Sequence, residues 1–150
     1  MSRPSPYLSC LVLALSVLAV GCGESPLRNR QCELESPVKV RGRLLMSGRR
    51  AMTQGSVQVT LVRGTNQSEV NESNMLLNAA DTGLDAVPER FELCGDLAPS
   101  DLQPGAFEVL VSAEVNGDRR YSELDLVGRT SLTSLADELI EVDVELVPHE

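Results

Sequence analysis

Phe107-Glu108-Val109-Leu110-Val111-Ser112-Ala113-Glu114-Val115, running into Asn116-Gly117, is the stretch on which the fold turns. Phe107, Val109, Val111, Ala113 and Val115 recur at every second position, separated by Glu108, Leu110, Ser112 and Glu114. A period of two marks a half-buried strand, because successive side chains leave opposite faces of an extended backbone. Asn-Gly is the strongest short hairpin signal, since both turn positions take positive φ. The return strand is therefore expected over Arg119 to Val127, with Gly128 to Glu138 as the next connection.

The same period extends in both directions. Upstream, Val38, Val40, Gly42 and Leu44 alternate with Lys39, Arg41 and Arg43, and after a Ser47-Gly48-Arg49-Arg50 turn Val57, Val59 and Leu61 alternate with Gln58 and Thr60. Downstream, Ile140, Val142, Val144 and Leu146 alternate with Glu141, Asp143 and Glu145 before Pro148. Phe91-Glu92-Leu93-Cys94 is a shorter strand, and Asp96 to Gly105 is a loop broken by Pro99 and Pro104. Gly64 to Pro88 has one apolar patch, Met75-Leu76-Leu77, and reads as a long loop with one short strand or helical turn there. About six or seven strands without a strong helix predict an all-β domain, an antiparallel β-sandwich with a Val and Leu core.

Ahead of this domain stands a leader. Arg3 precedes Leu11-Val12-Leu13-Ala14-Leu15-Ser16-Val17-Leu18-Ala19-Val20, a run shorter than the about 20 apolar residues of a membrane-spanning helix. Ala19 and Gly21 meet the small-residue rule for signal cleavage, directly before Cys22. The pattern resembles that of bacterial lipoproteins, in which such a cysteine becomes the acylated first residue. Leucine usually stands three places before it, where this chain has Ala19. The alternatives, an ordinary cleaved leader and an uncleaved helix, rank below this reading. The expected organisation is a lipoprotein signal peptide over 1–21, a lipidated tether over 22–37 and the β-domain over 38–148. Gly23 stands where an inner-membrane retention signal would have aspartate, so the expected address is the outer membrane, facing the periplasm.

Composition narrows the partners. The 150-residue chain carries 13 basic and 22 acidic side chains, a formal charge of −9, which disfavours nucleic-acid phosphate as a ligand. With no Trp, two Tyr and two Phe, it lacks the flat rings that sugars and bases stack on. Of four cysteines, Cys10 lies in the leader and Cys22 is the lipid attachment site, which leaves Cys32 and Cys94 to form a disulfide in an oxidising compartment. That bond would link the N-terminal arm to the outer face of the Phe91 strand and, by loop entropy, add roughly 4 kcal/mol.

Several of these stretches, in this order, carry a family resemblance. Val40-Arg41-Gly42-Arg43-Leu44, then Arg50-Ala51-Met52 leading to Val57-Gln58-Val59-Thr60-Leu61, then Phe91-Glu92-Leu93, then Asp101-Leu102-Gln103-Pro104-Gly105-Ala106 before Leu110 to Val115, resemble the YbaY/YscW-like lipoprotein family. The likeness runs from about Val40 to Val147. It departs at Thr53-Gln54-Gly55, where members usually carry prolines, and at the cysteine pair, which is not typical of them. The family includes type III secretion pilot lipoproteins. The resemblance implies a small non-enzymatic β-sandwich that binds an envelope protein such as the C-terminal segment of a secretin subunit, while the lipid anchor supplies the address. Other members have no link to a secretion machine, so a general envelope or stress role is the alternative.

Catalytic readings have less support. Asp81-Thr82-Gly83 matches the aspartic-protease triplet, and Leu126-Val127-Gly128-Arg129 resembles the later hydrophobic-Gly-Arg segment of retroviral-type proteases. Asn78-Ala79-Ala80 is a poor buried lead-in, however, and Asp-Thr-Gly is ordinary turn chemistry. His149, the single histidine, sits at the C-terminal end, so neither Ser-His chemistry nor a histidine metal site is expected. Glu141, Asp143 and Glu145 form an acidic stripe that reads as a strand's wet face, or as a loose cation site. No catalytic residue, metal ligand or cofactor is expected.

Overall fold

The computed structural model describes residues 24–64, 70–120 and 122–149, so the leader and Cys22 lie outside it. Eight strands follow in chain order: β1 (Leu27–Arg28), β2 (Val38–Met46), β3 (Ala51–Arg63), β4 (Met75–Ala86), β5 (Arg90–Cys94), β6 (Phe107–Glu114), β7 (Leu126–Leu132) and β8 (Ile140–Pro148). One short helix, α1 (Arg30–Glu33), and a 3-10 turn at Pro99–Leu102 complete the regular structure. The alternation decides which side chains turn inward. Val40 and Leu44 from β2, Val57, Val59 and Leu61 from β3, and Phe107, Val109 and Ala113 from β6 are almost wholly removed from water. They meet Phe91, Leu93, Val144 and Leu146 in one core.

The strands form a single sheet in the order β1-β5-β2-β8-β7-β6-β3-β4. Instead of the expected six or seven strands in an antiparallel β-sandwich, the chain makes an eight-stranded sheet coiled until its edge strands, β1 and β4, touch. Nor is the pairing purely antiparallel: β2 runs parallel to β8 from Val40↔Ile140 to Met46↔Leu146, and β1 runs parallel to β5. The sheet has two leaves, β1-β5-β2-β8 and β7-β6-β3-β4, joined where β7 and β8 share only the pairs Leu126↔Pro148 and Val127↔Val147. Gly128 permits this corner. A Cβ there would lie 2.5 Å from the Glu145 carbonyl oxygen and 2.8 Å from Val144 Cγ1, so only a bare backbone lets β8 cross this close.

Three other expectations are corrected. Where one short element near Met75 was expected, β4 runs for 12 residues against β3. Only Leu77 and Ala79 of β4 are buried, and its outward Asn78 bonds both Gln58 and Thr60 of β3, so pairing rather than a periodic apolar face maintains it. The return strand after Asn116-Gly117 starts at Leu126 and not at Arg119. The buried Asp125 carboxylate accepts the N–H groups of Val115 (3.1 Å) and Ser122 (2.6 Å), and Glu114 accepts that of Arg119. These side-chain acceptors satisfy a wide loop and displace the two-residue turn. Finally, within the stretch expected as a tether, Leu27–Arg28 join the sheet as β1 and Arg30–Glu33 form α1. Leu27 is buried opposite Phe91, and Asn29 donates to the Cys94 carbonyl and accepts its N–H, both at 2.8 Å. One amide side chain thus continues the β1 ladder past its last residue.

The Cys32–Cys94 disulfide is present, with Cα atoms 5.0 Å apart and a sequence separation of 62. Cys94 projects to the outer face, away from Phe91 and Leu93, and is nevertheless fully buried. Asn29 and α1 lie against it there.

Gly117 remains indispensable in the wide loop. Its φ is +68°, and a Cβ would stand 2.8 Å from the Gln54 carbonyl oxygen and 2.9 Å from that of Thr53. Gly117→Ala is expected to destabilise the domain by about 2 kcal/mol, through left-handed strain and steric pressure on β3. Urea unfolding of the two forms measures it, and an unchanged midpoint would refute the assignment.

Candidate functional site

The outer face of β3, β6 and β7 carries a depression of about 860 Å³. Its position follows from register. Thr60 lies beside Leu110, which lies beside Arg129, and Gln58 lies beside Ser112, which lies beside Val127. The corner brings Val147 of β8 next to Val127. Val70 enters from the segment between β3 and β4, while Glu145 and His149 stand at the rim. The lining mixes apolar Leu110, Val127, Val147 and Val70 with polar Gln58, Thr60 and Ser112, and Val147 at 47% and Val70 at 43% remain open to solvent. A second depression, about 230 Å³, shares Gln58 and Ser112 with the first and ends at Arg119 and Arg120. The two adjoin at Gln58 and Ser112 and are together called the groove.

Charge is distributed unevenly along it. Arg129 stands at one end, with Nη1 3.8 Å from Glu108 Oε1. Glu108 is only 2% exposed, and its Oε2 has no hydrogen-bond partner among the described residues. At the other end, Glu114 is engaged by the hydroxyl of Ser56 and the N–H of Arg119, while neither the Arg119 nor the Arg120 guanidinium makes an ion pair among the described residues.

The residues singled out in the sequence fall elsewhere. Cys22 lies outside the described residues. Asp81 is exposed on the edge strand β4, where its carboxylate accepts the N–H of Thr82 at 2.8 Å. Gly83 adopts φ +72° opposite the irregular pairing of β3, which accounts for the Asp-Thr-Gly triplet as local backbone chemistry. Leu126-Val127-Gly128-Arg129 opens β7, and β6 and β3 separate it from Asp81. His149 donates its backbone N–H to the Asp125 carbonyl. Among the described residues no cluster of three or more His, Cys, Asp or Glu side chains could hold a metal.

The acidic stripe on β8 meets arginines of β2. Arg43 grips Asp143 through Nε to Oδ1 at 2.8 Å and Nη2 to Oδ2 at 2.6 Å, whereas Arg41, in register with Glu141, turns to Glu92 of β5 at 3.0 Å. The hydrogen bond from Arg43 is the main reason that the Asp143 carboxyl lies below the usual carboxylate range; slight desolvation opposes it and the charge of Arg43 adds to it. A lowered folded-state pKa stabilises the fold above the ordinary carboxylate pKa, and that contribution is lost as pH falls through the lowered value. Both side chains are open to solvent, Arg43 at 64% and Asp143 at 43%, so the pair's effect on stability is small. A carbon-detected NMR titration is expected to show Asp143 titrating below the ordinary aspartate range and returning to it in Arg43→Gln.

Fold and surface define an all-β domain with a disulfide-fixed N-terminal arm and a mixed apolar and cationic groove on one outer face. No family model and no curated protein matches this chain. Among solved structures, its fold is similar to that of an alternative pilotin from the type II secretion system of Vibrio cholerae, with a TM-score of 0.50 and 18% identity. The likeness covers 74% of this chain and 96% of that one.

The groove was not legible in the sequence. Leu110 and Val127 occupy outward positions on their strands, and only the pairing of β6, β7 and β8 gathers them with Val147. An apolar residue in the polar register was the available signal.

Proposed function

We propose that this chain is a non-enzymatic binding and escort lipoprotein of the cell envelope, pilotin-like, which receives a segment of a secretin subunit and carries it to the outer membrane. The observation that carries the reading is the fold similarity to a pilotin over nearly the whole of that protein. An open groove with an apolar patch of Leu110, Val127 and Val147 fits the same reading, since a segment with one apolar face docks by covering such a surface. In this proposal Cys22 is the lipid attachment site and the domain faces the periplasm. The leader pattern before Cys22 and the Cys32–Cys94 disulfide, which suits an oxidising compartment, support it.

The test compares secretin distribution in membrane fractions from the wild type, a deletion strain and a Cys22→Ser strain with a cleavable non-lipid leader. The expected result is loss of secretin from the outer membrane in both altered strains, while the Cys22→Ser protein still captures it in a pull-down. Unchanged secretin distribution would overturn the escort reading in favour of a general envelope role.

A further inference from the structure

We infer that the outer-face groove recognises a segment presenting apolar side chains along its length and a carboxylate at one end, which docks against Arg119 and Arg120. The inference deepens the escort reading and rests on it for the partner's origin. Its own support is the shape and charge of the groove. The floor offers Leu110, Val127 and Val147, and Val70 closes one side. Burying such a surface under a partner is favourable in proportion to its apolar area.

Charge then sets the direction. The groove has three arginines, Arg119, Arg120 and Arg129, within a chain whose formal charge is −9. Its lining acids are Glu114 and Glu145; Glu108 lies buried beneath Arg129, and Asp118, beside Arg119, accepts the Arg120 N–H and the Asn116 amide. Glu114 is occupied by Ser56 and the backbone of Arg119. Glu145, on the β8 rim, is the acid left facing solvent near the Arg129 end. At the opposite end Arg119 and Arg120 both line the groove beside Glu114, and neither guanidinium makes an ion pair among the described residues. A guanidinium fork matches a carboxylate in geometry and charge, so this end selects an acidic side chain or a chain terminus. The Glu145 rim disfavours an acid at the other end. The segment therefore binds in one polarity.

The absence of tryptophan in this chain makes a direct test available. Two synthetic amphipathic peptides share the same apolar positions and one tryptophan; one carries glutamates at its end, the other lysines. The purified mature chain is titrated into each while tryptophan emission is followed. The glutamate peptide is expected to bind, the lysine peptide roughly tenfold or more weakly, and Arg119→Gln with Arg120→Gln to reduce the glutamate peptide to the lysine level. Val147→Asp, on an exposed strand position, is expected to weaken both. Equal binding of the two peptides, no binding, or an unchanged affinity in the double variant would overturn the inference.

A secretin pull-down with the same variants separates this inference from the escort reading. Secretin captured equally by the wild type and the double variant would sink the groove assignment and leave the escort role standing. Selective binding of the glutamate peptide with no secretin captured would do the reverse.

Discussion

Gly42→Val is expected to cost about 3 kcal/mol or more, lowering the melting temperature by roughly 10 °C. Gly42 occupies an inward position of β2 directly opposite Phe91 of β5. A Cβ built on it falls onto the Phe91 ring and stands 2.7 Å from the Val142 carbonyl oxygen. The ring edge can shift only at the expense of packing, because Phe91 is fully buried at the centre of the core. The carbonyl cannot yield without disturbing the parallel β2–β8 ladder, in which Gly42 pairs with Val142. Phe91→Ala alone is expected to cost about 3–5 kcal/mol by leaving a cavity. Because one change overfills the space that the other empties, Gly42→Ala combined with Phe91→Leu is expected to cost less than the sum of its parts. Thermal melts of the four forms measure the coupling. A Gly42→Val protein melting with the wild type would refute the close packing.

The second large effect concerns the bridge. Replacing Cys32 and Cys94 with serine, or reducing them, is expected to lower stability by roughly 4 kcal/mol. It also removes the covalent support of the arm, whose other attachments include the two-residue strand β1, the Arg28–Glu92 ion pair at 2.9 Å and the double hydrogen bond of Asn29 to Cys94. Hydrogen exchange is expected to show the arm opening before the rest of the sheet in the serine form, because its ladder is the shortest. Asn29→Ala in the oxidised protein should have a smaller effect of the same kind, about 1–3 kcal/mol, by orphaning buried Cys94 backbone groups. Thiol counting in denaturant without reductant should find Cys32 and Cys94 unreactive; two reactive thiols would refute the bond.

These two effects were legible to different degrees. The inward set containing Gly42, Leu44 and Phe91 followed from alternation, which reports the face of a strand directly. The cysteine pair followed from arithmetic and compartment. What alternation cannot report is the neighbour of each strand. The parallel pairing of β2 with β8 joins residues about a hundred positions apart, Arg43 with Asp143, and neither segment carries a mark of the other. The sandwich expectation failed at the same place: one glycine, Gly128, lets β7 and β8 meet at a corner and merge two leaves into a single sheet. Only a short element was expected at Met75, where β4 runs for 12 residues, because its hydrogen bonds and Asn78 contacts, rather than its own apolar residues, maintain it. The late start of β7 depended on Asp125, a polar residue buried for its acceptor capacity, which periodicity reads as surface. The groove inherits all of these silences, since it exists only where β3, β6, β7 and β8 adjoin.

The bridge also decides how the molecule bears a mechanical load. A pull on the N-terminus passes along β1, whose parallel ladder to β5 resists in shear, and reaches Cys32. There it crosses to Cys94 and continues through β6, β7 and β8, so the span holding β2, β3, β4 and most of β5 lies off the line of tension. A sequence separation of 62 thereby becomes hidden length, roughly 200 Å of contour that appears only after reduction. Stretched between its ends while oxidised, the domain can surrender β6 to β8 to the force, while the loop closed by the bridge stays slack.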